Sequence, residues 1–252
     1  MKIQHYYLFG ISPTMLQDCL EKLLNQFELN FTDYKIDQTS EFGELRLIFQ
    51  YQEEQISLYE ELFNLLENNL APYIFSKSQN LPECLIESLK SKSKLLAVAE
   101  SCTGGLISSQ ITKIPGASAV FDTGVVTYSN ASKMNFLNLD ESLLVKYGAV
   151  SSQTAEAMVQ GLLKATQADF GIAVTGIAGP SGGTIEKPNG TVYIAWGDQI
   201  NIRSRQFLIA LPRIEFQKKV TYTALNQLRR FILKNKNSAD YYFDRFVKNR
   251  DQ

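Results

Sequence analysis

Apolar residues recur along this chain in two alternating rhythms. Leu16, Leu20, Leu23, Leu24 and Phe27 fall on one face at helical spacing, with Ser12 and Pro13 placed as N-cap and first helical residue. Tyr6-Tyr7-Leu8-Phe9 reads instead as a strand that turns at Gly10. Phe31 to Ile36 and Leu45 to Tyr51 read as two more strands, joined by a turn near Glu41-Phe42-Gly43. Leu58, Leu62, Leu65 and Leu66 stripe a second helix from about Ser57 to Leu70. The order β-α-β-β-α predicts a small α+β domain over residues 1–78, KH-like in its layering. Ala71-Pro72 to Leu81-Pro82 reads as a linker.

Residues 79–252 follow a different plan, in which helices alternate with short apolar strands. Pro82-Glu83 opens a helix to about Lys92, and Leu95-Leu96-Ala97-Val98 is a short buried strand. A helix from Gly105 to Thr112, a strand at Gly124–Tyr128 and a helix capped by Ser129-Asn130 come next. Ser151 opens a longer helix whose Ala155, Met158, Val159, Leu162 and Leu163 share one face. Phe170–Val174 is another central strand, running into the glycine-rich loop Thr175–Gly183. Strands near Thr191–Trp196 and Ile202–Ile209 and a helix from about Arg213 to Leu233 complete the pattern. It predicts a three-layer α/β/α sandwich around a mixed sheet. Asn235 to Gln252, charged and aromatic, fits either a tail or a docking segment.

Composition narrows the chemistry. Of 252 residues 44% are hydrophobic and 20% charged, an ordinary globular balance, and no apolar run reaches membrane-spanning length. The first residues lack the apolar block of a signal peptide, and three widely spaced cysteines suggest neither a disulfide framework nor a zinc site; a cytoplasmic protein is expected. His5 is the one histidine, which excludes a His-dependent triad in the second domain and a His-rich metal site. Residues 1–80 carry five basic against twelve acidic side chains, and residues 81–252 twenty against fourteen. An acidic first domain argues against wide nucleic-acid contact, and so does the absence of a Gly-x-x-Gly clamp there; an interaction or dimerisation module fits better. The basic second domain tolerates an anionic small molecule.

Ser101 stands where a strand gives way to a helix through Cys102-Thr103-Gly104-Gly105, so the amides of the helix start are expected to favour a developing oxyanion. A serine hydroxyl needs a base, and without histidine the candidates are carboxylates or a lysine kept neutral by burial. Lys133, five residues after Tyr128 at another strand–helix junction, is such a lysine if the strands are neighbours; spacing alone favours a solvated helix lysine. Cys102 is the better intrinsic nucleophile but has no histidine near it, and a packing role suits it better. Glu100 could cap the helix, orient Lys133 or form a structural ion pair. The glycines of Thr175–Gly183 let backbone approach a phosphate or carboxylate, and Arg213 could bind a phosphate.

Five blocks taken together resemble one family. Ala99-Glu100-Ser101-Cys102-Thr103-Gly104-Gly105, Thr127-Tyr128-Ser129-Asn130 with Lys133, Gly148-Ala149-Val150-Ser151, Thr175–Pro180 and Lys187-Pro188-x-Gly190-Thr191-Val192 resemble the CinA C-terminal family, the nicotinamide mononucleotide deamidases. Phe9-Gly10-Ile11-Ser12 and the strands to Tyr73 resemble the KH-type middle domain of long CinA proteins; the molybdopterin-binding-like domain of those proteins has no counterpart here. The resemblance implies hydrolysis of the nicotinamide carboxamide to nicotinic acid mononucleotide and ammonia, in pyridine nucleotide salvage, by an amidohydrolase without metal or organic cofactor. By motif, Ser101 is then the nucleophile, Lys133 the general base and Tyr128 an assisting hydroxyl. Thr103, Gly104 and Gly105 line the oxyanion or carboxamide end, while Asn130, Gly176, Ala178, Gly179 and Arg213 contact the nucleotide. The family also implies a homodimer. Asn189, Leu211-Pro212 and Gln217 depart from the usual pattern; the altered Leu211-Pro212-Arg213 region and the additional N-terminal module motivate the alternative of a non-catalytic or regulatory pyridine-nucleotide-binding protein.

Overall fold

Ser12 starts the first helix as its position predicts, its hydroxyl accepting the Met15 N–H at 3.1 Å. The structure, a computed structural model, describes residues 1–27, 34–235 and 240–245. It divides into two units, one over Met1–Leu81 and one over Pro82–Asn235. The first contains β1 (Lys2–Phe9), α1 (Pro13–Leu24), β2 (Tyr34–Gln38), β3 (Glu44–Tyr51), α2 (Ile56–Leu70) and β4 (Ile74–Ser76). Phe31, where a strand was expected to begin, lies outside the described residues.

The four strands form one sheet in the order β2-β3-β1-β4, antiparallel throughout. Strand pleating sends every second side chain to the same face. Tyr6 and Leu8 of β1 therefore lie opposite Leu47 and Leu45 of β3, and all four pack under Leu16, Leu20, Leu62 and Leu66 of the two helices. β4 corrects the reading of residues 71–82 as a plain linker. Ile74 returns to pair with Leu8, and this fourth strand makes the unit a split β-α-β, ferredoxin-like arrangement. The KH-like layering suggested by the first five elements stops short of that edge strand. Three residues with half-buried side chains are too few for a periodic signal. Late in the chain, Tyr242 donates its N–H to the Gly10 carbonyl at 2.9 Å and Tyr241 stacks edge-on against Phe9, so residues 240–242 belong with this unit.

The second unit follows the predicted alternation. After α3 (Leu81–Lys90) come β5 (Leu96–Glu100), α4 (Leu106–Thr112), β6 (Phe121–Val126), α5 (Asn130–Leu137), α6 (Glu141–Tyr147) and α7 (Ser152–Ala165). Then follow β7 (Phe170–Gly176), β8 (Thr191–Gly197), β9 (Ile202–Leu208) and α8 (Arg213–Ile232). α6 has two apolar turns and an Asp140 cap, too short a pattern to stand out in the sequence. The sheet order is β6-β5-β7-β8-β9, with β5 parallel to both neighbours and the last two pairings antiparallel. α4 and α8 cover one face and α7 the other, with α5 and α6 packed against α7 on that side, which gives the three layers and mixed sheet the sequence predicts. The connection leaving β5 runs through α4 on one face of the sheet, and the one leaving its parallel neighbour β6 runs through α5, α6 and α7 on the other. A crevice opens between the carboxyl ends of these two strands, the usual binding position in such sheets.

Candidate active site

Ser101 follows directly on β5, whose five residues are all buried. The chain then turns through Gly105, which caps α4 with φ 99°, a left-handed conformation that glycine adopts without strain. One strand over, β6 ends at Val126 and the backbone pairing continues one step further, the Thr127 N–H donating to the Glu100 carbonyl at 2.7 Å. Ser129 and Ser132 then form a reciprocal capping box that fixes the first turn of α5. That cap decides where Lys133 goes. It sits on the first turn facing inward and is only 1% exposed, so it is not a solvated helix lysine.

The Lys133 ammonium nitrogen Nζ lies 3.2 Å from Ser101 Oγ and donates to the Thr127 carbonyl at 2.7 Å. Burial lowers the Lys133 pKa below its ordinary value, with nearby Cys102 pulling weakly the other way. Tyr128 is 60% exposed, and its hydroxyl accepts from Arg213 Nη2 at 2.7 Å. Arg213 Nη1 donates to the Gly179 carbonyl at 3.1 Å, joining the start of α8 to the glycine-rich loop.

These groups border a cleft of about 190 Å³, lined by Ser101, Cys102, Tyr128, Lys133, Ala149, Val150, Thr175, Gly176, Ala178 and Arg213. That is smaller than the roughly 300–1,000 Å³ of drug-sized sites, with room for the reacting end of a small molecule. The lining mixes apolar Ala149, Val150 and Ala178 with the hydroxyls of Ser101, Tyr128 and Thr175, the Lys133 amine and the Arg213 guanidinium. Of the residues named from the sequence, Ser101, Lys133, Tyr128, Gly176, Ala178 and Arg213 meet at this cleft. Thr103, Gly104, Gly105, Asn130 and Gly179 do not line it. The Thr103 hydroxyl and the Gly105 N–H both point to the Glu100 carboxylate, Asn130 is exposed at the start of α5, and Gly179 meets Arg213 through its carbonyl.

The expected oxyanion role of the helix start is therefore corrected. The Gly105, Ile107 and Ser108 amides donate to Glu100, at 3.0, 3.0 and 2.8 Å, and are not free for a substrate. Of the roles open to Glu100 in the sequence, capping is the one it fills. Sequence reasoning also missed the wall of Ala149, Val150 and Thr175. Its carbonyls are held from three sides: Thr175 Oγ1 donates to Ala149 O at 2.7 Å, Thr154 Oγ1 to Gly148 O at 2.7 Å, and Lys187 Nζ to Val150 O at 2.7 Å. Ala149, Val150 and Thr175 stood in the sequence only inside motif blocks with no role of their own, and the Ser151 N-cap beside them marks a helix, not a cleft. Gln217 donates from Nε2 to the Cys102 carbonyl at 2.8 Å and so steadies the turn after Ser101.

Cys102 is buried, and burial pushes its thiol up to about 12, with the Glu100 charge adding to the effect. A thiol needs its anion to attack. In the native protein Cys102 is expected to resist iodoacetamide at pH 8 and to react only after denaturation, as read by mass spectrometry of the peptide that carries it.

Among the described residues no group of three or more His, Cys, Asp and Glu side chains is placed to hold a metal ion, and no helix is long and apolar enough to cross a membrane. Comparison with known proteins agrees with the site. Residues 78–232 match the CinA C-terminal domain family. A CinA-like protein of Colwellia psychrerythraea is 43% identical over 173 residues, 69% of this chain and 40% of that protein. Another CinA-like protein, from Citrifermentans bemidjiense, is 36% identical over 92% of this chain and 55% of its own length. The chain thus spans about half the length of these relatives. Among solved structures, the competence/damage inducible protein CihA from Agrobacterium tumefaciens is 38% identical with a TM-score of 0.57, covering 61% of this chain and 96% of that one. With four of the five motif blocks lining one cleft and the match running through nearly the whole second unit, the chain belongs to the CinA C-terminal domain family.

Proposed function

We infer that this chain is an amidohydrolase that converts nicotinamide mononucleotide and water to nicotinic acid mononucleotide and ammonia. The observation that carries the reading is a buried amine, its pKa lowered by desolvation, 3.2 Å from a serine hydroxyl at the carboxyl end of the sheet, in a unit whose sequence contains no histidine. Ser101 Oγ attacks the carboxamide carbon while its proton passes to Lys133 Nζ. Lys133 returns that proton to the departing nitrogen, the C–N bond breaks and ammonia leaves an ester on Ser101. Water then attacks the ester with Lys133 as base, which frees the acid and restores the hydroxyl.

Arg213 and Tyr128 supply positive charge and a hydroxyl at the cleft for the anionic part of the substrate or the developing oxyanion. The apolar Ala149–Val150 wall suits a flat heteroaromatic ring better than a sugar or phosphate. The chain acts in this scheme as a soluble salvage enzyme of the cytoplasm, a homodimer as its family resemblance implies, and the N-terminal unit is its interaction module. Incubated with nicotinamide mononucleotide, the purified chain is expected to release ammonia and the acid product in equal amounts, read by coupled assay and chromatography. A folded chain that binds the nucleotide in calorimetry and releases none would establish the regulatory alternative in its place.

A further inference from the structure

We propose that Glu100 is the positioning residue that holds Ser101 and Lys133 in register, an inference that rests on reading Ser101 as the nucleophile. Glu100 ends β5 without any exposed surface. Its carboxylate accepts five hydrogen bonds: from the hydroxyls of Thr103 and Ser108, each at 2.7 Å, and from the three α4 amides already described. Five donors converging on one buried carboxylate pin both ends of the turn that carries Ser101.

The backbone of the same residue does a second task. The Glu100 carbonyl accepts the Thr127 N–H, and the Thr127 carbonyl in turn accepts from Lys133 Nζ, both at 2.7 Å. Ser101, Glu100, Thr127 and Lys133 therefore close a ring whose last link is the 3.2 Å approach of amine to hydroxyl. An ordinary cap would come from the residue beside the helix, yet the Gly105 position offers no side chain. Here the strand reaches across the turn, so whatever loosens the cap also moves the nucleophile.

The test reads Ser101 directly, with a small alkyl fluorophosphonate. Its phosphorus accepts Oγ as fluoride leaves and the hydroxyl proton passes to Lys133. Displacement of the serine by about 1 Å can cost 100-fold, so Glu100→Ala is expected to label about 100-fold more slowly than the wild type. Glu100→Gln keeps one oxygen toward Thr103, Gly105 and Ile107 and turns its NH2 toward Ser108, whose hydroxyl can reverse to accept while its N–H loses its acceptor. It should recover about tenfold of that loss, on the scale of one charge-assisted hydrogen bond. With nicotinamide mononucleotide, kcat is expected to fall in the same order while KM stays within about twofold, the split expected when a transition-state interaction alone is lost.

A folded Glu100→Ala chain that labels at the wild-type rate overturns the proposal. Should that variant fail to fold, Thr103→Val, which removes one donor and leaves the carboxylate, decides: several-fold slower labelling supports the assignment, and unchanged labelling overturns it. A wild-type chain that takes the label and releases no ammonia overturns the deamidase reading alone, and the order of the labelling rates still decides on Glu100. One that does neither overturns both.

Discussion

Lys133→Met is expected to abolish ammonia release, by about 1,000-fold or more, while leaving the fold intact. The loss follows from the chemistry: a serine whose base is gone keeps only the rate that binding and electrostatics provide. Methionine fills a similar volume, and a buried lysine is costly because its charged form is desolvated. The pH dependence makes the expectation specific. Burial lowers the Lys133 pKa, so the amine loses its proton below the ordinary lysine value of about 10.4. The wild-type rate should therefore rise with pH along a single-proton limb whose midpoint lies below that value, and Lys133→Met should show no such limb.

Stability gives an independent reading of the same group. The unfolded chain binds the Lys133 proton more tightly than the folded one, so folding becomes more favourable as pH rises from the folded to the unfolded pKa. Below the folded pKa the full penalty applies. The stability of Lys133→Met relative to wild type is thus expected to decline as pH rises towards about 10.4, measured by denaturant titration across that range. A pH-independent difference would mean that the lysine is not desolvated in solution.

Gly161→Ala should damage both stability and catalysis, although the residue lies in the middle of α7 and touches no substrate group. A methyl there would stand 1.9 Å from the Leu137 carbonyl oxygen and 2.9 Å from its carbon. Both are backbone atoms at the end of α5, so the helix itself has to move. On an open helix surface the same change would stabilise by up to about 1 kcal/mol. Here overpacking is expected to cost about 1–3 kcal/mol instead, read as a lower denaturation midpoint at unchanged m-value. Because α5 carries Lys133, the shift also lengthens the approach to Ser101, and kcat should fall about tenfold or more. A stabilised, fully active variant would show that α5 and α7 are not packed this closely.

The Lys133 and Gly161 cases also show how far the sequence can be read. Ser101 was legible because a reactive hydroxyl, a strand end and two glycines stand together locally. The capping signals at Ser12, Ser129 and Ser151 were legible for the same reason: each cap involves residues three apart. Lys133 was ambiguous, since nothing within its own helix distinguishes a buried lysine from a solvated one. Gly161 carries no local signal at all, because its role is a contact with a different helix. Arg213 was named from a motif, yet its two partners, Tyr128 and Gly179, are 85 and 34 residues away in the chain.

By itself the sequence determined what is short-ranged: the alternation of helices and strands, the caps, the lack of a histidine in the second unit and hence the need for another base. The tertiary structure alone decided which side chains lose their water and which meet. Parallel pairing of β5 with β6 brings Ser101 beside Lys133, and the reach of Glu100 across its own turn takes the α4 amides away from any substrate. Protonation and the direction of a hydrogen bond depend on burial and on partners distant in sequence, and local pattern carries neither.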